Sequence, residues 1–169
     1  MNLELSEDFV TTLENNKGII YKIANSYCKD LDDRQDLIQE ITIQLWNSFG
    51  KYNGTAKFST WMYRIALNTA ISFYRKDNRR KGLHVPLSEI VIQTTSEVLR
   101  DEKEASLGLL EKFIRELNEL DRALMILYLE EKSQNEIAEI VGISVSNVST
   151  KIGRIKERLK RQFSRLNDN

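Results

Sequence analysis

Helical spacing of apolar residues is the feature that most constrains the fold of this chain. Segments with strand-like alternation are almost absent, and the 169 residues contain one proline, Pro86. This pattern predicts an all-α protein. Ser6 and an Asp32–Gln35 capping box are the expected starts of two early helices. The predicted helices cover residues 6–15, 17–28, 32–49, 59–81, 94–118, 120–131 and 134–141, with a last one from about residue 145.

Residues 82–94 (GLHVPLSEIVIQT) interrupt the helical pattern through Gly82 and Pro86. A chain of this length suits one domain or two small ones, so the interruption decides between them. We predict two small helical domains, residues 1–81 and 95–169, joined by a flexible linker over residues 82–94. A second capping box, Thr94 with Glu97, marks the return of helix after the linker.

Composition limits the classes of function. No apolar run approaches the roughly 20 residues that a membrane helix needs. The acidic start MNLELSEDF lacks the basic and apolar regions of a signal peptide, so a cytoplasmic location is expected. The single cysteine, Cys28, excludes an internal disulfide and a cysteine-based metal cluster. The only histidine, His84, lies in the linker, and no phosphate-binding loop is visible, so we expect no cofactor and no enzymatic activity.

Charge is unevenly distributed, although the formal net charge is zero. Residues 1–50 carry a net −5 and residues 86–120 a net −4, whereas residues 64–81 carry +5 and residues 144–166 carry +6. One basic patch is usually an ordinary solvated helix face. Two basic patches separated by acidic stretches indicate two contacts with a polyanion.

Residues 133–161 have the pattern of a helix-turn-helix. SQNE at 133–136 is a capping box, Gly142 supplies the positive φ that ends a short helix, and Ser144 caps the next helix. In that second helix the predicted inward residues are Val145, Val148, Ile152, Ile155 and Leu159. The other side carries small polar residues near its start and basic residues further along, an arrangement that suits base edges and phosphates of duplex DNA. An amphipathic helix with a solvated basic face is the alternative.

The segment FSTWMYRIALNTAISFYRK, residues 58–76, carries a polar stripe beside its apolar band. Trp61, Arg64, Asn68, Ser72 and Arg75 are spaced to share one face of a helix. Aromatic rings beside basic groups are typical of proteins that bind unstacked nucleotides. Single-strand binding and a merely packed Trp remain equal alternatives from spacing alone.

The helix DDRQDLIQEITIQLW, residues 32–46, has an acidic outer face. Asp33, Asp36, Gln39 and Glu40 lie outside a buried stripe that includes Leu37. An acidic face repels DNA, so its predicted partner is a basic protein surface. Simple solubility is the alternative.

These motifs, in this order, resemble the sigma-70 superfamily of bacterial sigma factors: DLIQE at 36–40, FSTWMYRIALN at 58–68, and SQNEIAEIVGISVSNVSTKIGRIKERL at 133–159. The small size is similar to the extracytoplasmic-function group. The resemblance implies that the protein binds core RNA polymerase and promoter DNA and helps to open the promoter. It also implies control by an anti-sigma factor and no direct insertion into a membrane.

The resemblance also implies three groups of site residues. Core polymerase contacts are Asp33, Asp36, Leu37, Gln39 and Glu40. Contacts to the opened minus-10 strand come from the stretch from about Gly50 to Ser59 and from Phe58, Trp61, Arg64, Asn68, Ser72, Arg75 and Lys76. Contacts to the minus-35 duplex are Ser146, Asn147, Ser149, Thr150, Lys151, Arg154 and Arg158. The main alternative is an ordinary helix-turn-helix regulator with a sensing or dimerising N-terminal domain. It leaves the aromatic stripe and acidic helix unexplained, and an adaptor role leaves both basic patches unexplained.

Overall fold

The computed structural model describes residues 3–82 and 102–167, and within these ranges it contains α-helices and no strand. The all-α prediction is therefore confirmed. The helices are α1 (Leu3–Tyr27), α2 (Leu31–Phe49), α3 (Phe58–Arg80), α4 (Glu102–Arg115), α5 (Glu119–Leu129), α6 (Gln134–Val141) and α7 (Val145–Asn167). The predicted linker after Gly82, with His84, Pro86 and the Thr94–Glu97 box, lies outside the described residues.

Helices α1, α2 and α3 pack against one another and form what we call the N-terminal bundle. Its core is fully buried and apolar, because all three helices turn their apolar stripes inward. The core residues with no more than 1% exposure are Ile23, Ala24, Leu37, Ile41, Leu45, Met62, Ala66 and Ala70. Burying each of the larger side chains stabilises the fold by about 1.5–3 kcal/mol.

Two predictions for this bundle are wrong. The predicted helices 6–15 and 17–28 are one continuous helix, in which Ser6 is not a cap. Gly18 costs only about 1 kcal/mol in a helix interior, and the stripe from Phe9 to Tyr27 packs on one core. The cap of α2 is Asp30, whose carboxylate accepts a hydrogen bond of 2.7 Å from the Asp32 N–H.

Helices α4 to α7 form the C-terminal bundle, in which α5, α6 and α7 pack together. The Ser133–Glu136 capping box is present, and Gly142 has a φ of 79°. The Ser144 hydroxyl accepts a hydrogen bond of 3.2 Å from the Asn147 N–H, as predicted for a cap. The helix-turn-helix prediction is confirmed at the level of local structure.

The buried face of α7 agrees with its pattern except at one position. Val148, Ile152, Ile155 and Leu159 are buried, whereas Val145 is 41% exposed. Val145 is the first residue of α7, so it lies at the turn before the helix reaches the core.

The two bundles contact each other directly. Helix α3 packs against α5 and α6, and α1 packs against α4 and α5. One face of α3 therefore adjoins the C-terminal bundle, while another adjoins α2 and the rest of the N-terminal bundle.

Candidate nucleic-acid and polymerase interfaces

Helix α3 presents the predicted stripe on its surface. Arg64, Asn68, Ser72, Arg75 and Lys76 are exposed, and Trp61 and Phe58 are half-buried. The opposite side of α3 is buried in the bundle through Met62, Ala66 and Ala70, among others. One helix thus holds the bundle together and displays a polar, basic face, which we call the α3 stripe: Phe58, Trp61, Arg64, Asn68, Ser72, Arg75 and Lys76.

The start of α3 lies in an aromatic cluster. The Trp61 ring lies 5.2 Å from the Tyr52 ring, 5.2 Å from Phe58 and 6.5 Å from Phe49, measured between centroids. The Tyr52 hydroxyl donates a hydrogen bond of 2.7 Å to the Ala56 carbonyl and so orders the loop before α3. Such offset and edge contacts are favourable for aromatic pairs.

Trp61 therefore combines the two alternatives that spacing left open. Part of its ring packs on Phe49, Tyr52 and Phe58, and part remains exposed. A ring held this way offers a surface for a stacked base without first losing side-chain freedom. The sequence reasoning did not foresee this cluster, although Phe49 directly precedes the predicted Gly50–Ser59 stretch and Tyr52 lies within it.

A groove of about 510 Å³ separates α2 from α3. Asn68, Ser72 and Lys76 line its α3 wall, and acidic residues line its α2 wall. The acidic residues are three of the predicted polymerase contacts, Asp33, Asp36 and Glu40. The structure thus brings the predicted polymerase face and the α3 stripe to the two sides of one groove.

The exposed face of α2 carries most of the predicted polymerase contacts. Asp36 and Gln39 are exposed, and Asp33 and Glu40 are partly exposed. The Gln44 amide donates a hydrogen bond of 2.9 Å to the Glu40 carboxylate. Leu37 has no exposed surface, because it faces the bundle core. A fully buried side chain has no surface that a partner can contact, so Leu37 does not belong to the polymerase-binding face in this structure.

Lys81, just after α3, already occupies part of this acidic face. Its ammonium lies 3.0 Å from the Asp33 carboxylate and 2.7 Å from that of Asp77. Hydrogen bonds to Asp77 and then to Asp33 raise the pKa of Lys81. A basic partner that binds at Asp33 has to compete with Lys81.

The first four turns of α7 form the outer surface of the helix-turn-helix. Ser146, Asn147, Ser149, Thr150 and Arg154 are exposed, and Lys151 and Arg158 are partly exposed. The Lys151 ammonium is 3.9 Å from the Asp121 carboxylate, at the limit of an ion pair. These seven residues form one accessible surface, which we call the α7 face.

Two arginines of the α3 stripe contact the C-terminal bundle. The Arg64 guanidinium donates a hydrogen bond of 2.7 Å to the Glu139 carbonyl, and the Arg75 Nε donates one of 2.7 Å to the Glu119 carboxylate. The bond from Arg75 lowers the pKa of Glu119. Residue spacing gives no sign of these contacts, because their partners lie on another bundle.

The residues that the structure describes were also compared with what a membrane-spanning helix or a metal site requires. No helix there has the length and apolar character needed to cross a bilayer. Among the same residues, no group of three or more His, Cys, Asp or Glu side chains is arranged to hold a metal ion. Cys28 is buried, and this burial raises the pKa of its thiol to about 11.

Comparison with known proteins identifies both bundles. Residues 12–80 match the family model for sigma-70 region 2, and residues 107–159 match that for sigma-70 region 4. The first match is to a sigma-factor region and covers most of the N-terminal bundle. It therefore overturns the alternative of a regulator with a sensing or dimerising N-terminal domain.

Individual relatives agree with the family models. The ECF RNA polymerase sigma factor SigW of Bacillus subtilis is 31% identical over 163 residues, which is 89% of this chain and 86% of SigW. The sigma factor YlaC of the same species is 28% identical over 138 residues, 80% of each chain. The fold is similar to that of the sigma factor RpoE, solved with the anti-sigma factor NepR from Bartonella quintana. That similarity has a TM-score of 0.71 at 20% identity and covers 94% of this chain and 98% of the other. The chain belongs to the extracytoplasmic-function group of sigma-70 RNA polymerase sigma factors, which bind core RNA polymerase and recognise promoter DNA.

Proposed function

We propose that three surfaces divide the work of promoter recognition. The acidic face of α2 binds core polymerase, the α3 stripe holds the opened minus-10 strand, and the α7 face recognises the minus-35 duplex. In this proposal the first two surfaces belong to a domain of residues 1–81, and the α7 face belongs to a domain of residues 95–169. A linker over residues 82–94 joins the two domains. The observation that carries the proposal is the half-exposed Trp61, fixed in an aromatic cluster beside the exposed amide and basic groups of α3.

Strand opening at the minus-10 element is an exchange of stacking partners. Separating the duplex loses about 1.4 kcal/mol of stacking per step. A base stacked on an aromatic ring gains about 1–3 kcal/mol. Arg64, Arg75 and Lys76 neutralise the backbone beside it, and Asn68 is placed to hydrogen-bond a base edge.

The α2 face and the α7 face have partners of opposite charge. Asp36, Gln39 and Glu40 suit a basic protein surface, and by resemblance to the family that surface is the coiled coil of the largest polymerase subunit. Small polar groups at the start of α7 approach base edges in the major groove, while Lys151, Arg154 and Arg158 contact phosphates. The order of these roles along α7 follows the spacing of its exposed residues.

We further propose an anti-sigma factor as a partner, because the structurally similar sigma factor RpoE was crystallised with the anti-sigma factor NepR. The protein works in the cytoplasm, where its polymerase and promoter are, and it catalyses no reaction itself.

Substitution of the α3 stripe tests this division of roles. Trp61→Ala and Asn68→Ala should each lower promoter opening by about 5- to 150-fold, the equivalent of one lost stacking or base contact. Affinity for core polymerase should change little, since α2 is untouched. Opening is measured by permanganate reactivity of unpaired thymines, and polymerase affinity by fluorescence anisotropy of labelled protein.

Matched controls separate a lost contact from a damaged fold. Tyr21→Ala and Asn15→Ala remove the same kinds of side chain from the exposed side of α1 and should leave opening unchanged. Thermal unfolding of every variant checks the fold. If Trp61→Ala reduces polymerase binding and promoter opening equally, the ring only supports the fold and the proposed strand contact is wrong.

A further inference from the structure

Residues 52–56, which we call the Tyr52 loop, lie before α3 and are held in shape by side chains. In this fully described segment, no backbone–backbone hydrogen bond joins two of the residues. The Asn53 side-chain oxygen accepts a hydrogen bond of 3.1 Å from the Thr55 N–H and another from the Thr55 hydroxyl. The Tyr52 hydroxyl donates a hydrogen bond of 2.7 Å to the Ala56 carbonyl.

The bond from Tyr52 is the one that ties the two ends of the loop together. The bonds of Asn53 span only residues 53–55, around Gly54 with its φ of 73°. Without the Tyr52 hydroxyl, the Ala56 carbonyl loses its partner and only the smaller turn remains. A segment without regular backbone bonds then regains conformational freedom, which binding has to remove again.

The ring of Tyr52 supports Trp61 at the same time. Its centroid lies 5.2 Å from that of Trp61, with the two planes tilted by 46°, and 5.4 Å from that of Phe58, nearly edge-on at 85°. Such tilted and edge contacts are favourable for aromatic pairs. Tyr52 is therefore joined to the loop through its hydroxyl and to the α3 stripe through its ring.

The tip of the Tyr52 loop is available to a partner. Asn53, Gly54 and Thr55 are exposed, whereas Tyr52 and Ala56 are partly buried. The Asn53 oxygen is used within the loop, which leaves its amide nitrogen as the group that can donate to DNA. The loop thus presents polar groups in one fixed shape, beside the aromatic rings at the start of α3.

We infer that Tyr52 is a positioning residue for strand capture: its hydroxyl holds the Tyr52 loop in shape and its ring supports Trp61, so that both are ordered before an unpaired base arrives. The inference rests on the proposed function of the α3 stripe. Binding to an ordered surface loses less side-chain and loop freedom than binding to a mobile one. The Tyr52 hydroxyl acts through the loop and does not itself contact DNA.

The first test removes the tie and keeps the ring. Holoenzyme assembled with Tyr52→Phe is titrated with fluorescent single-stranded 15-mers of deoxyadenylate, deoxycytidylate and thymidylate, and with an abasic 15-mer of the same backbone. The affinity for the tightest base-bearing strand, divided by that for the abasic strand, gives the base-dependent ratio. Tyr52→Phe should lower this ratio by about 2- to 12-fold, the equivalent of one lost hydrogen bond. Affinity for the abasic strand should stay unchanged, because the basic groups of α3 are untouched.

Two further variants frame this result. Tyr21→Phe removes a tyrosine hydroxyl from the exposed side of α1 and should leave the base-dependent ratio unchanged. Tyr52→Leu removes the ring as well as the hydroxyl and should lower the ratio further than Tyr52→Phe does. Thermal unfolding of every variant checks the fold, since a general loss of structure lowers affinity for the abasic strand too.

The second test observes Trp61 in the free protein. The chain has two tryptophans, so Trp46→Phe leaves Trp61 as the only indole. Time-resolved fluorescence anisotropy then reports the motion of the Trp61 ring on the nanosecond scale before DNA is added. Tyr52→Leu should increase this motion, and Tyr21→Leu should not. Unchanged motion in the Tyr52→Leu variant overturns the support that we assign to the Tyr52 ring.

The Trp61→Ala variant separates this inference from the function on which it rests. If Trp61→Ala lowers the base-dependent ratio and Tyr52→Phe leaves it at the wild-type value, the α3 stripe binds bases and only the positioning role is wrong. If neither substitution changes the ratio, the assignment of the α3 stripe fails as well. If Tyr52→Phe lowers affinity for abasic and base-bearing strands equally and also lowers the Tm, Tyr52 only supports the fold and the inference is overturned.

Discussion

At the scale of single residues, two glycines of the helix-turn-helix have opposite structural roles. Gly142 ends α6 with a φ of 79°, a conformation that an L residue with a side chain rarely adopts. Gly153 lies inside α7, where an added Cβ meets nothing within 4 Å. The first glycine is required by the turn, whereas the second weakens its helix and has no intramolecular reason to be small.

Replacing each glycine by alanine should therefore change stability in opposite directions. Gly142→Ala should lower the free energy of unfolding by about 1–2 kcal/mol, the cost of a left-handed conformation. Gly153→Ala should raise it by up to about 1 kcal/mol. Urea unfolding of the full chain, followed by circular dichroism, measures both. Equal effects of the two substitutions would contradict these roles.

A residue without a side chain at position 153 lets a partner approach α7 closely. If DNA passes close to this position on α7, the added methyl group of Gly153→Ala should weaken duplex binding even though it stabilises the helix. Unfolding measures the stability of the variant, and titration with duplex DNA measures its affinity. A Gly153→Ala variant that is more stable than the wild type and binds duplex DNA with the same affinity would show that DNA does not contact Gly153.

At the scale of elements, α2 shows how one helix separates packing from recognition. Its inner side, with Leu37, Ile41 and Leu45, is buried to 1% exposure or less. Its outer side carries Asp36 and the partly exposed Glu40. A substitution on the outer side can therefore change binding without changing the core.

Reversing charge on the outer side of α2 tests the polymerase assignment. Asp36→Lys with Glu40→Lys should weaken binding to core polymerase by about tenfold or more, because two favourable charge contacts become repulsive. Asp8→Lys with Glu14→Lys makes the same charge change on the exposed side of α1 and should have little effect. Unaltered polymerase affinity of the α2 variant would refute the docking role.

Helical periodicity predicted most elements because local spacing decides which side of a helix is buried. The inner faces of α2 and α6 and most of that of α7 follow from it, as does the capping box at Ser133. It failed where packing outweighs local preference: two helices were expected to meet at residue 16, but α1 runs through this position without a break. At the start of α2 the capping-box pattern predicted Asp32 as the cap, whereas the cap in the structure is Asp30.

At the scale of the whole molecule, the contacts between bundles were beyond sequence reasoning. Arg64 and Glu139 are 75 residues apart, and Arg75 and Glu119 are 44 apart. The alternation of acidic and basic segments was interpreted as contact with, or avoidance of, a polyanion. Glu119 belongs to one of the acidic segments, yet in the structure it binds a basic residue of the same chain. Charge patterns alone do not distinguish a partner from another part of the protein.

The central claim concerns the whole chain together with its polymerase: the α3 stripe opens promoters that the α7 face helps to locate. Genome-wide run-off transcription with purified core polymerase tests it most directly, comparing the wild-type chain with the Trp61→Ala variant and with core polymerase alone. We predict that the wild type produces transcripts from discrete start sites, which are preceded by shared minus-35 and minus-10 sequences. The Trp61→Ala variant should produce far fewer of these transcripts, and core polymerase alone should produce none of them. Transcripts without a shared upstream sequence, or start sites that Trp61→Ala leaves at full strength, would contradict the account.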